Sequence, residues 1–248
     1  MNTMINTNAT AILNETKLSE VKSIPLPEQT ETYMPVAHAD LVKYVETDLN
    51  EMLPEYKLQK NTYALGNSGQ YLFGMASFSN GDAYMGPSIA YRNSYNKDFS
   101  VGFAFGAQVF VCANGMFEGD ILVAKKHTLN VWDSVRQVMT DELGRVQESY
   151  TTMQSDVQAL REVKISDGDA WKALGVLRGK NILTARTFEK AIKEWANPLY
   201  EEHQDGTALQ LYNACTEAMK LESYPSRAMS QRVKLHKMFQ DTLINRQN

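Results

Sequence analysis

A single apolar stripe limits what this chain can become. Leu129, Trp132, Met139, Leu143, Val146, Tyr150, Met153, Val157 and Leu160 recur in steps of three and four over about 35 residues, the period of an α-helix with one apolar face. A stripe of that length must be buried, either as the core of the molecule or as a seam between subunits. Arg136 interrupts it, Gly144 weakens it locally, and Thr128 is placed to cap its N-terminus.

The segment that precedes it, from Tyr63 to Lys126, has a different texture. Turn signals at "GNSGQ", "NGD", "YNKD" and "ANG" separate runs rich in aromatic and small residues: "YLFGMASFS", "AYMGPSIAYRNS", "SVGFAFGAQVFVC" and "MFEGDILVAKK". Asn-Gly between strand-like runs is a strong hairpin signal, so Asn114-Gly115 is expected to turn the chain after a strand ending near Cys112. In the third run Val101, Phe103, Phe105, Ala107, Val109 and Val111 share one face. Gly102, Ala104, Gly106, Gln108, Phe110 and Cys112 share the other. One bulky and one mostly small face suit a sheet packed on a helix, with backbone approaching closely behind it.

These readings predict an α+β fold: an antiparallel β-meander packed against a long α-helix, with a helical C-terminal region. Residues 1–34, rich in Asn, Thr and Glu and interrupted by Pro25 and Pro27, are expected to be a flexible or extended arm. Residues 35–165 form the expected core, opened by a helix over 36–53 that Pro54 ends. Residues 166–248 supply shorter helices, among them an amphipathic one over 207–220 with Leu211, Ala214, Cys215, Ala218 and Met219 on its buried side.

Charge is uneven along the chain. Residues 1–55 carry three lysines against nine acids, while residues 220–248 carry six basic residues against Glu222 and Asp241. Such ends are solvated, pair between subunits, or meet a polyanion. The overall net charge of −4 argues against a protein coated in basic residues. No apolar run reaches the roughly 18 residues of a membrane span, and no secretory leader is evident at the N-terminus. With only two cysteines, Cys112 and Cys215, a reducing cytoplasm is the expected compartment.

Several chemistries lack their signatures. The four histidines sit on separate elements without metal-ligand spacing, and neither a Walker-type loop nor a dinucleotide-binding glycine pattern is present. No metal, cofactor or catalytic residue is therefore expected. Cys112, with His127 one strand further on, is the one pair a nucleophilic mechanism would use. Against it, a cysteine ending an apolar strand behaves as a small hydrophobe. Nucleic-acid binding needs only cations beside aromatics. "AYRNSYNKDF" offers Tyr91, Arg92, Tyr95, Lys97 and Phe99, and "AKKHT" offers Lys125, Lys126 and His127 at the opening of the long helix. Lysines at a helix N-terminus run against the macrodipole, which favours an anionic partner there. The expected interface is Tyr91 and Tyr95 stacking on bases, with Arg92, Lys97, Lys125, Lys126 and His127 at phosphates.

"YRNSYNKDFSVGFAFGAQVFVCANGMFEGD", followed by "KKHT", and the helix "LYNACTEAMK" resemble the phage/plasmid-like protein family of unknown function. That resemblance implies a mobile-element origin and no assigned reaction. The order helix, meander, long helix is similar to that of single-strand annealing proteins of the phage Red beta type, which assemble as rings or filaments on single-stranded DNA. It implies a phage or plasmid protein that binds single-stranded nucleic acid, and anneals it, as a homo-oligomer. The rivals are a counter-defence factor that inhibits a host protein, and a small enzyme using Cys112 or His127.

Overall fold

The computed structural model describes residues 16–82, 84–109, 114–117, 123–222 and 225–244. A short helix α1 (Leu18–Ser23) leads through an extended segment to α2 (His38–Lys43), a π-helical turn (Tyr44–Asp48) and α3 (Leu49–Met52). Val36, Leu41, Val45 and Leu49 are all fully buried. Their spacing of four or five residues exceeds the 3.6 of an α-helix, and the π turn absorbs the excess. Leu53, the residue before Pro54, leaves helical geometry (φ −116°, ψ 64°) because the proline ring crowds its backbone.

Six strands follow: β1 (Lys57–Gly66), β2 (Tyr71–Ser79), β3 (Met85–Ser94), β4 (Val101–Val109), β5 (Asn114–Phe117) and β6 (Val123–Lys125). They form one antiparallel sheet in the order β1-β2-β3-β4-β5, and β6 also pairs with β4. β5 takes the Gly106–Val109 half of β4's outer edge and β6 the Val101–Phe103 half. The expected turn at Asn114-Gly115 is displaced. Asn114 pairs with Val109 and Gly115 with Gln108, so both belong to β5; residues 110–113, Cys112 among them, lie outside the described residues.

The long helix α4 (Val131–Glu162) crosses the bulky face of the sheet, and α5 (Asp167–Gly179), α6 (Ala185–Ala196), α7 (Ala208–Ala218) and α8 (Pro225–Phe239) complete the chain. Val135, Met139, Val146, Tyr150, Met153 and Val157 of α4 share one buried cluster with Leu72, Phe78, Ile89, Phe103 and Phe105. The Tyr150 hydroxyl lies 2.8 Å from the Met85 carbonyl and 3.2 Å from the Asp82 carboxylate, which fixes the helix's axial position on the β2–β3 turn. Burial of six such side chains contributes on the order of 10 kcal/mol before chain entropy is set against it. On the small face, Met75 and Ala90 pack against Val233 of α8, the close approach that Gly102, Ala104 and Gly106 permit.

Four further expectations change or are qualified. α4 begins at Val131 with Asn130 before it and no side-chain cap; Leu129 is 53% exposed, and Val131 and Val135 head the seam instead. Residues 16–34 take the extended form beyond α1 and are tethered at points: the Thr16 N–H donates to the Tyr63 carbonyl at 3.0 Å, Val21 and Tyr33 are buried, and residues 25–32 stay mostly exposed. α7 is buried all round and not amphipathic; Gln210, Asn213 and Glu217 lie inside with its apolar residues. Of the basic C-terminal residues, Lys220 is buried against Glu217 and Arg232 is 1% exposed, so the tail is less cationic outside than its composition implies.

Tyr91 belongs to this core. A Cβ on Gly74 would sit 2.1 Å from the Tyr91 ring, so the glycine is required by the ring's position across the strand pair. Gly74→Ala is expected to cost about 3 kcal/mol through this overpacking, read as a lower urea midpoint; an unchanged midpoint would show that Tyr91 moves aside freely.

Candidate nucleic-acid interface

The β3–β4 connection, residues 95–100, is built by the sequence Arg92-Asn93-Ser94 at the end of β3, where each residue points to a different task. Asn93 is fully buried. Its amide nitrogen donates to the Val36 carbonyl at 2.6 Å and lies 2.9 Å from His38 Nδ1. His38 Nε2 lies 3.1 Å from the Gly69 carbonyl. That pattern assigns the proton to Nε2 and leaves Nδ1 as acceptor. Ser94 closes the loop, donating from Oγ to the Phe99 carbonyl at 2.7 Å and accepting from the Phe99 N–H at 3.1 Å. Arg92 turns outward, its guanidinium 5.0 Å from the Phe99 ring centroid.

Tyr95 lies flat on His38, with ring centroids 3.7 Å apart and planes 2° from parallel. Its hydroxyl accepts from the His38 N–H at 2.9 Å, and its carbonyl accepts from the Tyr33 hydroxyl at 3.0 Å. Burial holds the His38 imidazole down at about 4, opposed in part by its bond to Gly69, so the ring is neutral at pH 7.

Beyond Tyr95 the loop adopts a left-handed residue at Lys97 (φ 67°), a conformation that costs a non-glycine residue roughly 1 kcal/mol. Asn96 and Asp98 hold it: the Asp98 N–H donates to Asn96 Oδ1 at 3.3 Å, and the Asn96 amide donates back to Asp98 at 2.6 Å. The Tyr71 hydroxyl also bonds Asp98. The turn sets Lys97 Nζ 4.4 Å above the Tyr33 ring. The facing wall comes from the segment between β6 and α4, where the Met34 N–H donates to the His127 carbonyl at 3.0 Å. Between the walls lies a pocket of 360 Å³ lined by Tyr33, Lys97, Asp98, Phe99, Lys126 and His127, with Thr32, Ser100 and Thr128 at its margins. Phe99 carries the site outward: its ring lies 5.0 Å from Tyr71 and 5.5 Å from Phe73. Tyr71, Phe73, Phe99 and Arg92 are half-buried, giving an aromatic and cationic strip that runs into the pocket.

Of the residues singled out from sequence, Lys97, Lys126 and His127 meet in the pocket, and Arg92 joins them through Phe99. Lys125 ends β6 opposite Val101, and its side chain is outside the described residues. Tyr91 and Tyr95 are corrected. Tyr91 faces the α4 side, 3% exposed, donating to Asn61 Oδ1 at 2.9 Å. Tyr95 is 4% exposed and forms the floor under the loop. Neither presents a ring to a base. Lys126 and His127 also precede the helix start at Val131, so the macrodipole of α4 is not what places them. Tyr33, Tyr71 and Phe73 were not anticipated; the pairing of Phe73 with Arg92 put Tyr71 and Phe73 on the Arg92 face, a signal available only once the register is known.

Among the described residues no cluster of three or more His, Cys, Asp or Glu could hold a metal ion, and no helix is long and apolar enough to cross a membrane. Cys215 is fully buried and its thiol is pushed well above the usual range by burial, which leaves it inert.

The fold and site define a class: an α+β meander with a helix on each face and a basic, aromatic-rimmed pocket at the β3–β4 end. A family model described as a domain of unknown function (DUF932) matches residues 30–239, a span that holds the sheet, α4 and the C-terminal helices to the end of α8, and the chain belongs to this family. No curated protein and no solved structure matches the chain.

The His38 joint makes stability depend on pH. Its folded value lies below the unfolded 6.5, so the unfolded chain binds more protons between pH 6.5 and 4. Stability is then full above 6.5 and falls as pH drops toward 4, by on the order of 3 kcal/mol from His38 alone. Burial lowers His127 and His203 as well, which adds in the same direction. Urea midpoints at pH 7 and 4.5 should diverge for the wild type and diverge less for His38→Gln; equal slopes would remove His38 from the account.

Proposed function

We propose that the chain binds single-stranded nucleic acid along the strip from Tyr71, Phe73, Arg92 and Phe99 into the pocket at Lys97, Lys126 and His127. The convergence of Lys97 and Lys126 from separate loops, beside aromatic rings on a rigid sheet, carries this reading. Lysine and arginine neutralise phosphates, and half-exposed aromatic faces stack with unpaired bases without regard to sequence. A duplex hides those base faces, so the strip favours single strands. Asp98 tempers the local positive charge, but its carboxylate is engaged by Tyr71 and Asn96.

Mechanistically, the protein positions a strand through electrostatics and stacking, and no covalent step is required. Annealing by a homo-oligomer, in a ring or filament in the cytoplasm of a host cell, is the form of this function suggested by the order of helix, meander and long helix. A second reading, docking of a host protein, draws on Trp171 and Val176 of α5 and Leu199 in the segment after α6, which expose 55%, 46% and 63% of their surface; such apolar residues are contact sites when clustered.

With three cations at phosphates, log K for a short oligothymidylate should fall with log salt at a slope of about −2. Lys97→Glu with Lys126→Glu should weaken binding by more than about ten-fold and bring the slope to about −0.7. Salt-independent binding, or wild-type affinity in this double variant, would exclude the strip as a nucleic-acid site. Trp171→Ala should leave both quantities unchanged, which separates the two readings.

A further inference from the structure

His127 is 7% exposed, yet neither ring nitrogen makes a well-formed hydrogen bond to another described residue. The Met34 backbone lies close enough to accept loosely from one ring nitrogen, which opposes the effect of burial, so one ring nitrogen still lacks a partner. Buried polar nitrogens in native proteins are almost always bonded, and an unmet one costs about 1–3 kcal/mol. The cost is borne at a place that lines a pocket flanked by two ammonium groups. Tyr33 covers one side of the ring, 5.4 Å away. His38 also acts on it and is itself locked neutral between Gly69 and Asn93. Asp98 is the one acid lining the pocket, and its partners are Tyr71 and Asn96.

We infer that this pocket seats one phosphate group, with His127 as the donor at its base and Lys97 and Lys126 on either side. The inference rests on the nucleic-acid reading only where the phosphate belongs to a strand. Three donors approaching from two facing walls suit the tetrahedral oxygens of a phosphate better than the planar pair of a carboxylate. The pocket is larger than the phosphate alone, leaving space for the attached sugar. Empty, the site favours the uncharged imidazole, because burial in this pocket opposes its protonation. An entering anion reverses that balance, so binding takes up a proton and tightens as pH falls from 8 to 6. A phosphodiester does not titrate in that window, so for an internal backbone phosphate the pH dependence belongs to the protein.

Inorganic phosphate, an oligothymidylate, and the same strand with a 5′-phosphate would be titrated into the full chain at pH 6 and pH 8, following the His127 ring signals by NMR. Phosphate should shift those signals, and the oligothymidylate, whose diesters keep one charge each across this range, should bind about three- to ten-fold tighter at pH 6. His127→Gln should lose about ten-fold of phosphate affinity and most of the pH dependence of oligothymidylate binding. Lys126→Gln, at an exposed position, should lose affinity but keep the pH dependence, and it serves if the histidine variant does not fold. Tighter binding of the 5′-phosphorylated strand assigns the seat to a terminal monoester, and equal binding assigns it to an internal diester. Unmoved His127 signals, or wild-type pH dependence in His127→Gln, would overturn the seat. Oligonucleotide binding with that outcome leaves the nucleic-acid reading standing, whereas phosphate binding without oligonucleotide binding removes that reading and keeps the seat.

Discussion

A neutral histidine clamped between strand, helix and loop is the joint on which the site depends. Asn93 reaches from β3 to both the Val36 carbonyl and His38 Nδ1, Gly69 holds the other ring nitrogen, and Tyr95 lies flat on the ring. Because Val36 and His38 lead into α2, and Tyr95 leads into the β3–β4 loop, one imidazole sets the distance between them. Protonation would put a charge into a site where no acid among the described residues acts on it, so the joint works only while the ring is neutral. Tyr33, tied to the Tyr95 carbonyl, transmits the same registration to the pocket wall, and Lys97 rests on Tyr33.

The sheet divides labour between its faces through residue size. Large side chains on one face bury α4 in the common core, while glycine, alanine and serine on the other let α8 approach. Arg92 and Phe73, paired across β2 and β3, sit on that second face at the end of the strands. Their half-exposure is therefore a consequence of strand length and register. The strain held at Lys97 fits the same picture: a non-glycine residue in left-handed geometry persists where neighbours over-determine it, and such positions gather at working sites.

Much of the architecture was legible from periodicity alone. The three-and-four stripe marked α4, the bulky-small alternation of β4 identified its two faces, and Pro54 stopped the first helix. Asn114-Gly115 marked the joining of β4 to β5 but not the place of the turn, because both residues belong to the ladder, paired with Val109 and Gln108. Residues 207–220 read as amphipathic because Gln, Asn and Glu normally face water. α7 instead sits inside, where Gln210 meets the Trp195 carbonyl and Glu217 meets Lys220. Arg232, counted toward a basic tail, lies fully buried beside Tyr212.

For the site, sequence by itself determined that cations and aromatics cluster in two short segments, "YRNSYNKDF" and "AKKHT", and that neither carries a metal or nucleotide motif. It could not say which rings face outward. Alternation along a strand assigns faces only relative to each other, and a one-residue change of register exchanges them. The tertiary structure decided that Tyr91 and Tyr95 are interior and that Phe73, Tyr71 and Phe99 flank Arg92. It also brought Lys97 and Lys126, 29 positions apart in the chain, into one pocket with a buried histidine. Those outcomes depend on long-range packing of α4, the tethered N-terminal segment and the His38 joint, contacts between residues too distant in sequence for any local pattern to encode.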